Sequence, residues 1–196
     1  SANAPKRAPL SGGAELLVIE DDSLPLVDGT LVFRFGSVLD PSAKIGLTSI
    51  AADCMREGGS ESSSGAELDA WLDLRAATLE ILPAEETFTL RFSCASEDLR
   101  ELLARIVELA KAPLFPEEIL AISKQRARSA VAREEDDAGT FADALLLQVV
   151  YGSSSPWARR PTTQSINAIE RADLLAWHEA NLGPDRLVAG VTGDVS

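Results

Sequence analysis

The sequence predicts an α+β fold, with a mostly antiparallel sheet of about five to six strands and helices packed on one face. Three observations lead there. Short segments of strand character lie early, in the middle and at the end of the chain, with helical-period segments in blocks between them. Their order reads β-β-α-α-β-β-α-α-α-α-β, so helices do not alternate one-for-one with strands as in a doubly wound parallel sheet. With 196 residues, 45% of them apolar, the chain can bury a real core and is not disordered in bulk.

The elements follow in chain order. Residues 1–13 are small, polar and proline-bearing. They read as a flexible lead-in, because no apolar stretch after Lys6 and Arg7 makes a signal peptide. Residues 14–196 then form a single domain. Residues 14–21 are a short apolar run with β-branched content, and in 30–38 Leu31, Phe33 and Phe35 share a face. Asp28-Gly29 between them reads as a turn, which makes the pair a meander. Pro41-Ser42 opens a helix with Leu47, Ile50, Ala51, Cys54 and Met55 on one face, and Gly58-Gly59 ends it. Loop 57–65 is polar, glycine-rich and reads as mobile. A short helix over 65–75 carries Leu68, Trp71 and Leu72.

Strands at 78–82 and 87–92 form a hairpin, with Phe88, Leu90 and Phe92 inward and Thr87, Thr89 and Arg91 outward. Ser96 is a suitable N-cap for a helix striped by Leu99, Leu102, Leu103, Ile106, Val107 and Leu109, which Pro113 stops. A second helix starts at Pro116-Glu117-Glu118 and runs to about Asp137, and a third covers about 139–151. Residues 165–169 lead into a last helix, 171–181, closed by Gly183-Pro184. Residues 187–191 are a buried strand close to Ser196, a placement that suggests a fragment of a longer polypeptide.

Composition excludes several functions. Eighteen basic against thirty-one acidic residues give a net charge of −13, a poor basis for holding nucleic acid or an anionic membrane. No apolar run reaches the roughly 18 residues of a transmembrane helix. Two cysteines, Cys54 and Cys94, do not make a disulfide scaffold; they read as buried thiols, and a bond between them awaits geometry. With them, the single histidine, His178, completes a set of three scattered His and Cys residues, which makes a conventional zinc site improbable. Ser37, Ser42 and Ser49 lack a companion histidine for a hydrolase triad, and no phosphate-binding glycine motif is present.

The residues do carry a resemblance. Phe33-Arg34-Phe35-Gly36-Ser37-Val38-Leu39-Asp40-Pro41 is followed by Lys44-Ile45-Gly46-Leu47, which opens a helix ending at Gly58-Gly59. Ala112-Pro113-Leu114-Phe115 precedes a long helix ending in Glu134-Glu135-Asp136-Asp137. Tyr151-Gly152, Pro156, Ser165-Ile166, Ile169, Arg171, Asp173-Leu174, Asn181-Leu182-Gly183-Pro184 and Gly193-Asp194 complete the series. In order and spacing, over roughly residues 14–195, this resembles the insulinase-like (pitrilysin, mitochondrial processing peptidase) zinc peptidase family. The resemblance implies the first of two similar domains in a longer subunit.

Active members carry H-x-x-E-H on the helix after that Gly-Leu. Its histidines bind zinc, its glutamate activates water, and a distal glutamate completes the ligand set. Here the first histidine position is Ser49, the glutamate position Ala52 and the second histidine position Asp53. The distal ligand position falls at Ala130, 77 residues beyond Asp53, and a shift of one turn would bring Glu134 there. Serine is a poor zinc ligand and alanine takes no proton, so the resemblance implies the fold and denies the chemistry, with no metal and no cofactor.

Asp53 and Glu57 are one turn apart and with 134–137 could bind a hard cation, but they read more simply as solvated helix-end residues. His178 suits the C-terminal turn of its helix. By resemblance, the expected function is a non-catalytic subunit that pairs with a zinc-motif-bearing homologue to enclose and position a peptide or unfolded protein. An acidic inner wall would favour basic peptides, and export to the periplasm would follow bacterial relatives. The alternative is a structural or assembly subunit with no proteolytic role, like the respiratory-complex core proteins.

Overall fold

Strands β1 (Lys6–Pro9), β2 (Glu15–Glu20), β3 (Leu26–Phe33), β4 (Thr78–Pro83), β5 (Phe88–Ala95) and β6 (Leu187–Gly193) form one open sheet. Their spatial order is β1-β2-β6-β3-β5-β4. The computed structural model describes residues 4–195, apart from the side chains of Glu135 and Asp136. Only β2 and β6 pair in parallel; the other neighbours run antiparallel. Helices α1 (Leu47–Gly58), α2 (Gly65–Leu74), α3 (Leu99–Lys111), α4 (Glu117–Asp136), α5 (Ala138–Tyr151), α6 (Thr163–Asn167) and α7 (Arg171–Asn181) complete the α+β fold.

Alternation builds the core. Val27, Leu31 and Phe33 of β3 and Phe88, Leu90, Phe92 and Cys94 of β5 point into the helical layer. They meet Ile50, Ala51, Cys54 and Met55 of α1, Leu102, Ile106 and Leu109 of α3, and Leu174 and Trp177 of α7. Each Val, Leu, Ile, Phe or Met side chain among them contributes about 1.5–3 kcal/mol by leaving water. Phe35 stacks on Phe88 at 5.4 Å, and Trp177 meets both rings edge-on at 5.5 and 5.1 Å. Trp177 Nε1 donates to Thr48 Oγ1 at 3.1 Å, which fastens α7 to the start of α1.

Several expectations need correction. Asp28-Gly29 is no turn; both residues lie inside β3. A Cβ on Gly29 would come within 1.9 Å of Phe92 Cζ, so the glycine admits a ring from the next strand. Strands β2 and β3 form no meander, because β6, from the far end of the chain, lies between them. Residues 6–9, read as part of a flexible lead-in, form β1 against β2, with ion pairs Lys6–Glu20 and Arg7–Glu15 across the two strands. All four β1 residues are exposed, so no apolar alternation announces the strand. Ser96 does not cap a helix; its hydroxyl donates to Asp194 Oδ2, and α3 begins after a 3-10 turn.

Helix α1 starts at Leu47 rather than near Pro41, because Asp40 reaches forward to cap it. Asp40 Oδ2 accepts from Gly46 N at 3.0 Å, and Oδ1 accepts from Thr48 N at 3.1 Å and from Thr48 Oγ1 at 2.6 Å. Arg159 fixes the same loop by donating to the carbonyls of Asp40 and Val38. Loop 57–65 is likewise anchored: Leu114 N donates to Gly59 O, Ser62 N to Glu108 Oε1, and Ser64 forms a capping box with Glu67. Short α6, read only as a lead-in, is capped by Thr162, and Ser165 Oγ donates to Ile45 O. Arg171 donates to the carbonyls of Phe115 and Leu114, and Lys44 pairs with Asp173 at 2.6 Å. Residues that carried the resemblance are thus the stitches that hold the α6–α7 segment to α1 and to the turn before α4.

Candidate functional site

With Ile50, Ala51, Cys54 and Met55 turned inward, 3.6-residue periodicity places Ser49, Asp53 and Glu57 on the outer side of α1. Helix α4 crosses there and contributes Ser123, Arg126, Ala127, Ala130 and Glu134. Between the helices is a cleft of about 350 Å³, lined by Ser49, Asp53 and Ala130 among others and walled by Pro161 and Ile166. Three of the four degenerate positions therefore face one space. The fourth, Ala52, is 2% exposed and part of the core. Glu134 also lines the cleft, so both registers considered for the distal position meet there.

Three charged groups of the cleft, Asp53, Arg126 and Glu134, are engaged by neighbouring side chains. Ser123 Oγ, buried, donates to Asp53 Oδ2 at 2.7 Å. Glu57 pairs with Arg126, and Glu134 pairs with Arg160 from the segment before α6. Desolvation pushes the Asp53 carboxyl above its ordinary range, and the charge of Glu57 adds to this; the Ser123 hydrogen bond and Arg126 oppose it. Asp40, below the start of α1, is also raised by desolvation, against the pull of its bonds from Thr48 and Gly46 and the charge of Arg159.

These residues do not fit a zinc ion. Alanines 52 and 130 carry no donor, Ser49 offers a neutral hydroxyl, and the Asp53 carboxylate is bonded to Ser123 beside the Arg126 guanidinium. Among the described residues no group of three or more His, Cys, Asp or Glu comes together to hold a metal. His178 is elsewhere: its Nε2–H donates to Ala110 O at 2.7 Å, joining α7 to the end of α3. Cys54 and Cys94 are free and buried, and burial pushes their thiols up to about 12 and about 11. In the acidic run, Asp137 caps α5 by accepting from Gly139 N and Thr140 N, while the side chains of Glu135 and Asp136 lie outside the description.

Sequence reasoning missed Ser123, Arg126 and Arg160. One signal was available: Ser123 lies seven residues before Ala130, two turns along the same face of α4. It also missed the state of α5. That helix has only Ala144 buried, while Phe141, Leu145, Leu146, Val149 (82% exposed), Val150 and Tyr151 are open to solvent. Trp157 stacks beside Tyr151 at 6.3 Å and is itself exposed. A contiguous apolar surface of this kind is characteristic of an interface.

No family model matches the chain. The non-peptidase homolog YmxG of Helicobacter pylori is 26% identical over 178 residues, spanning 90% of this chain and 41% of that protein. The peptidase M16 inactive domain from Pseudomonas fluorescens superposes with a TM-score of 0.90 at 22% identity, over 98% of this chain and 47% of that one. The periplasmic protease PqqL of Escherichia coli does so with a TM-score of 0.86 at 13% identity, over 100% of this chain and 23% of that one. The chain thus spans less than half the length of each of these relatives. The fold is that of an M16, or insulinase-like, peptidase domain. The family resemblance read from the sequence agrees with these comparisons, in which an inactive M16 domain and a non-peptidase homolog are among the similar proteins. No helix among the described residues is long and apolar enough to cross a membrane.

Proposed function

We propose that this chain is a non-catalytic domain of an insulinase-like peptidase assembly, which pairs with a zinc-bearing homologue and helps enclose and position its peptide substrate. One observation carries the reading. The cleft in which the resemblance would put the metal is lined by Ser49, Asp53 and Ala130, with Ala52 turned into the core, and the Asp53 carboxylate is taken up by the Ser123 hydroxyl. The domain keeps the shape of a peptidase half without the means to activate water. The apolar face of α5 supports a partner, since a helix with one buried residue leaves its hydrophobic surface for another body to cover.

Co-expression with zinc-motif homologues from the same genome tests this. The expected result is a one-to-one complex on size-exclusion chromatography with light scattering, which cleaves peptides that this chain alone leaves intact. Purification alone, or with partners that are not peptidases, would move the assignment to a structural or assembly subunit. The non-peptidase character of the Helicobacter relative favours that second reading.

A further inference from the structure

Loss of zinc ligands does not by itself explain what the α1–α4 cleft has become. Its floor is apolar: Ile50 and Ile166 are 1% and 0% exposed, and Val131 is half-buried beside them. Residues 49, 127 and 130 are serine and alanines, too short to fill the space, so about 350 Å³ stays open. A second groove of about 190 Å³, between α4 and α5, shares Val131, Glu134 and Pro161 with the cleft and leads to Phe141 and Leu145.

Charge sets the class of ligand. Among the described residues, two acids, Asp53 and Glu134, and two arginines, Arg126 and Arg133, line the cleft. Glu57 and Arg160 bond to this set from its rim, one of each sign. The chain carries −13 overall, yet this cleft is balanced. A cation entering it meets two guanidinium groups, and an anion meets two carboxylates. An uncharged apolar group meets neither penalty and gains by leaving water.

We propose that the cleft receives an uncharged apolar side chain, of leucine or phenylalanine size, from an extended peptide. This rests on the peptide-positioning role proposed above and names the side-chain class it selects, in place of the basic peptides that an acidic inner wall would favour. The backbone of the peptide then runs toward the α4–α5 groove, where Phe141 and Leu145 continue the apolar track. The volume lies within the range of small-ligand pockets, about 300–1,000 Å³.

The test needs no partner, so it fails separately from the heterodimer reading. Methyl NMR spectra of the full chain are recorded during titration with capped Gly-Gly-Xaa-Gly-Gly peptides, where Xaa is leucine, phenylalanine, lysine or glutamate. The leucine and phenylalanine peptides are expected to give saturating shifts at Ile50, Val131 and Ile166, with at least tenfold lower Kd than the charged ones. Ala130→Phe and, from the opposite wall, Ser49→Trp are expected to weaken that binding at least tenfold, while the methyls of Leu109 stay unshifted as a check on folding. Equal or tighter binding of the lysine or glutamate peptide overturns the proposal. So does the absence of saturating shifts with the apolar peptides, or their survival in both filled variants.

Discussion

Replacing Asp40 removes the acceptor on which the start of α1, and so the position of Ser49 and Asp53, depends. In Asp40→Ala the amides of Gly46 and Thr48 and the Thr48 hydroxyl lose their common partner. Asp40 and Thr48 are 3% and 1% exposed, so water does not readily replace it. A lost helix cap costs about 0.5–2 kcal/mol, and a buried donor left unpaired about 1–3 kcal/mol. Relief from burying a carboxylate offsets part of this, which leaves a net loss of about 2–4 kcal/mol. In a chain of this size that lowers Tm by roughly 5–12 °C. Urea unfolding followed by circular dichroism and tryptophan fluorescence measures it.

The same carboxyl gives a pH signature. Its folded pKa is raised above the unfolded 3.8, so the folded state binds the proton more tightly. Stability attributable to Asp40 is therefore greatest below 3.8, falls as pH rises through the window between 3.8 and the raised folded pKa, and is flat above it. The advantage of wild type over Asp40→Ala should shrink across that window. An alanine variant within about 0.5 kcal/mol of wild type, or an advantage that grows with pH there, would refute the capping argument.

Gly29→Ala should destabilise the chain by about 1–3 kcal/mol or more, since its methyl would overlap the Phe92 ring; an unchanged urea midpoint would contradict the close approach of β3 and β5. Ser123→Ala removes a hydrogen bond that lowers the Asp53 pKa, so NMR titration should find that carboxyl higher still, with a stability loss of about 0.5–1.5 kcal/mol; a downward shift would show that the bond is not made. Val149→Asp, at an 82% exposed position, should leave the urea midpoint within about 0.5 kcal/mol of wild type and weaken partner capture at least tenfold. Intact capture would place the interface elsewhere.

Much of the architecture was legible because it rests on local periodicity. The alternation of Phe88, Leu90 and Phe92 and the stripe from Leu99 to Leu109 each report a buried face; the structure buries the three strand residues and Leu102, Ile106 and Leu109, packs Leu99 and Leu103 partly, and leaves Val107 exposed. Errors came where a residue acts at a distance. Gly29 carried a turn signal, yet its role is set by a ring on the neighbouring strand. Pro41-Ser42 looked like a helix start, but the cap is Asp40 folded forward onto Gly46 and Thr48. Strand β1 had no apolar alternation to betray it, because its partners are backbone groups and exposed acids.

The site divides in the same way. Residue type alone argues against the chemistry that the resemblance calls for: of the positions it points to, Ser49, Ala52, Asp53 and Ala130, only Asp53 carries a carboxylate that could hold zinc, and none is an imidazole or the glutamate base. What replaces that chemistry was decided only by tertiary structure. Ser123 reaches Asp53 across 70 residues of chain, Arg126 reaches Glu57 across 69, and β6 enters the sheet between β2 and β3 from the opposite end. Periodicity and motif spacing are properties of neighbours along the chain. Hydrogen bonds between helices, the charge balance of a cleft and the unpaired face of α5 depend on which distant segments pack together, and that is set by the burial of the whole core.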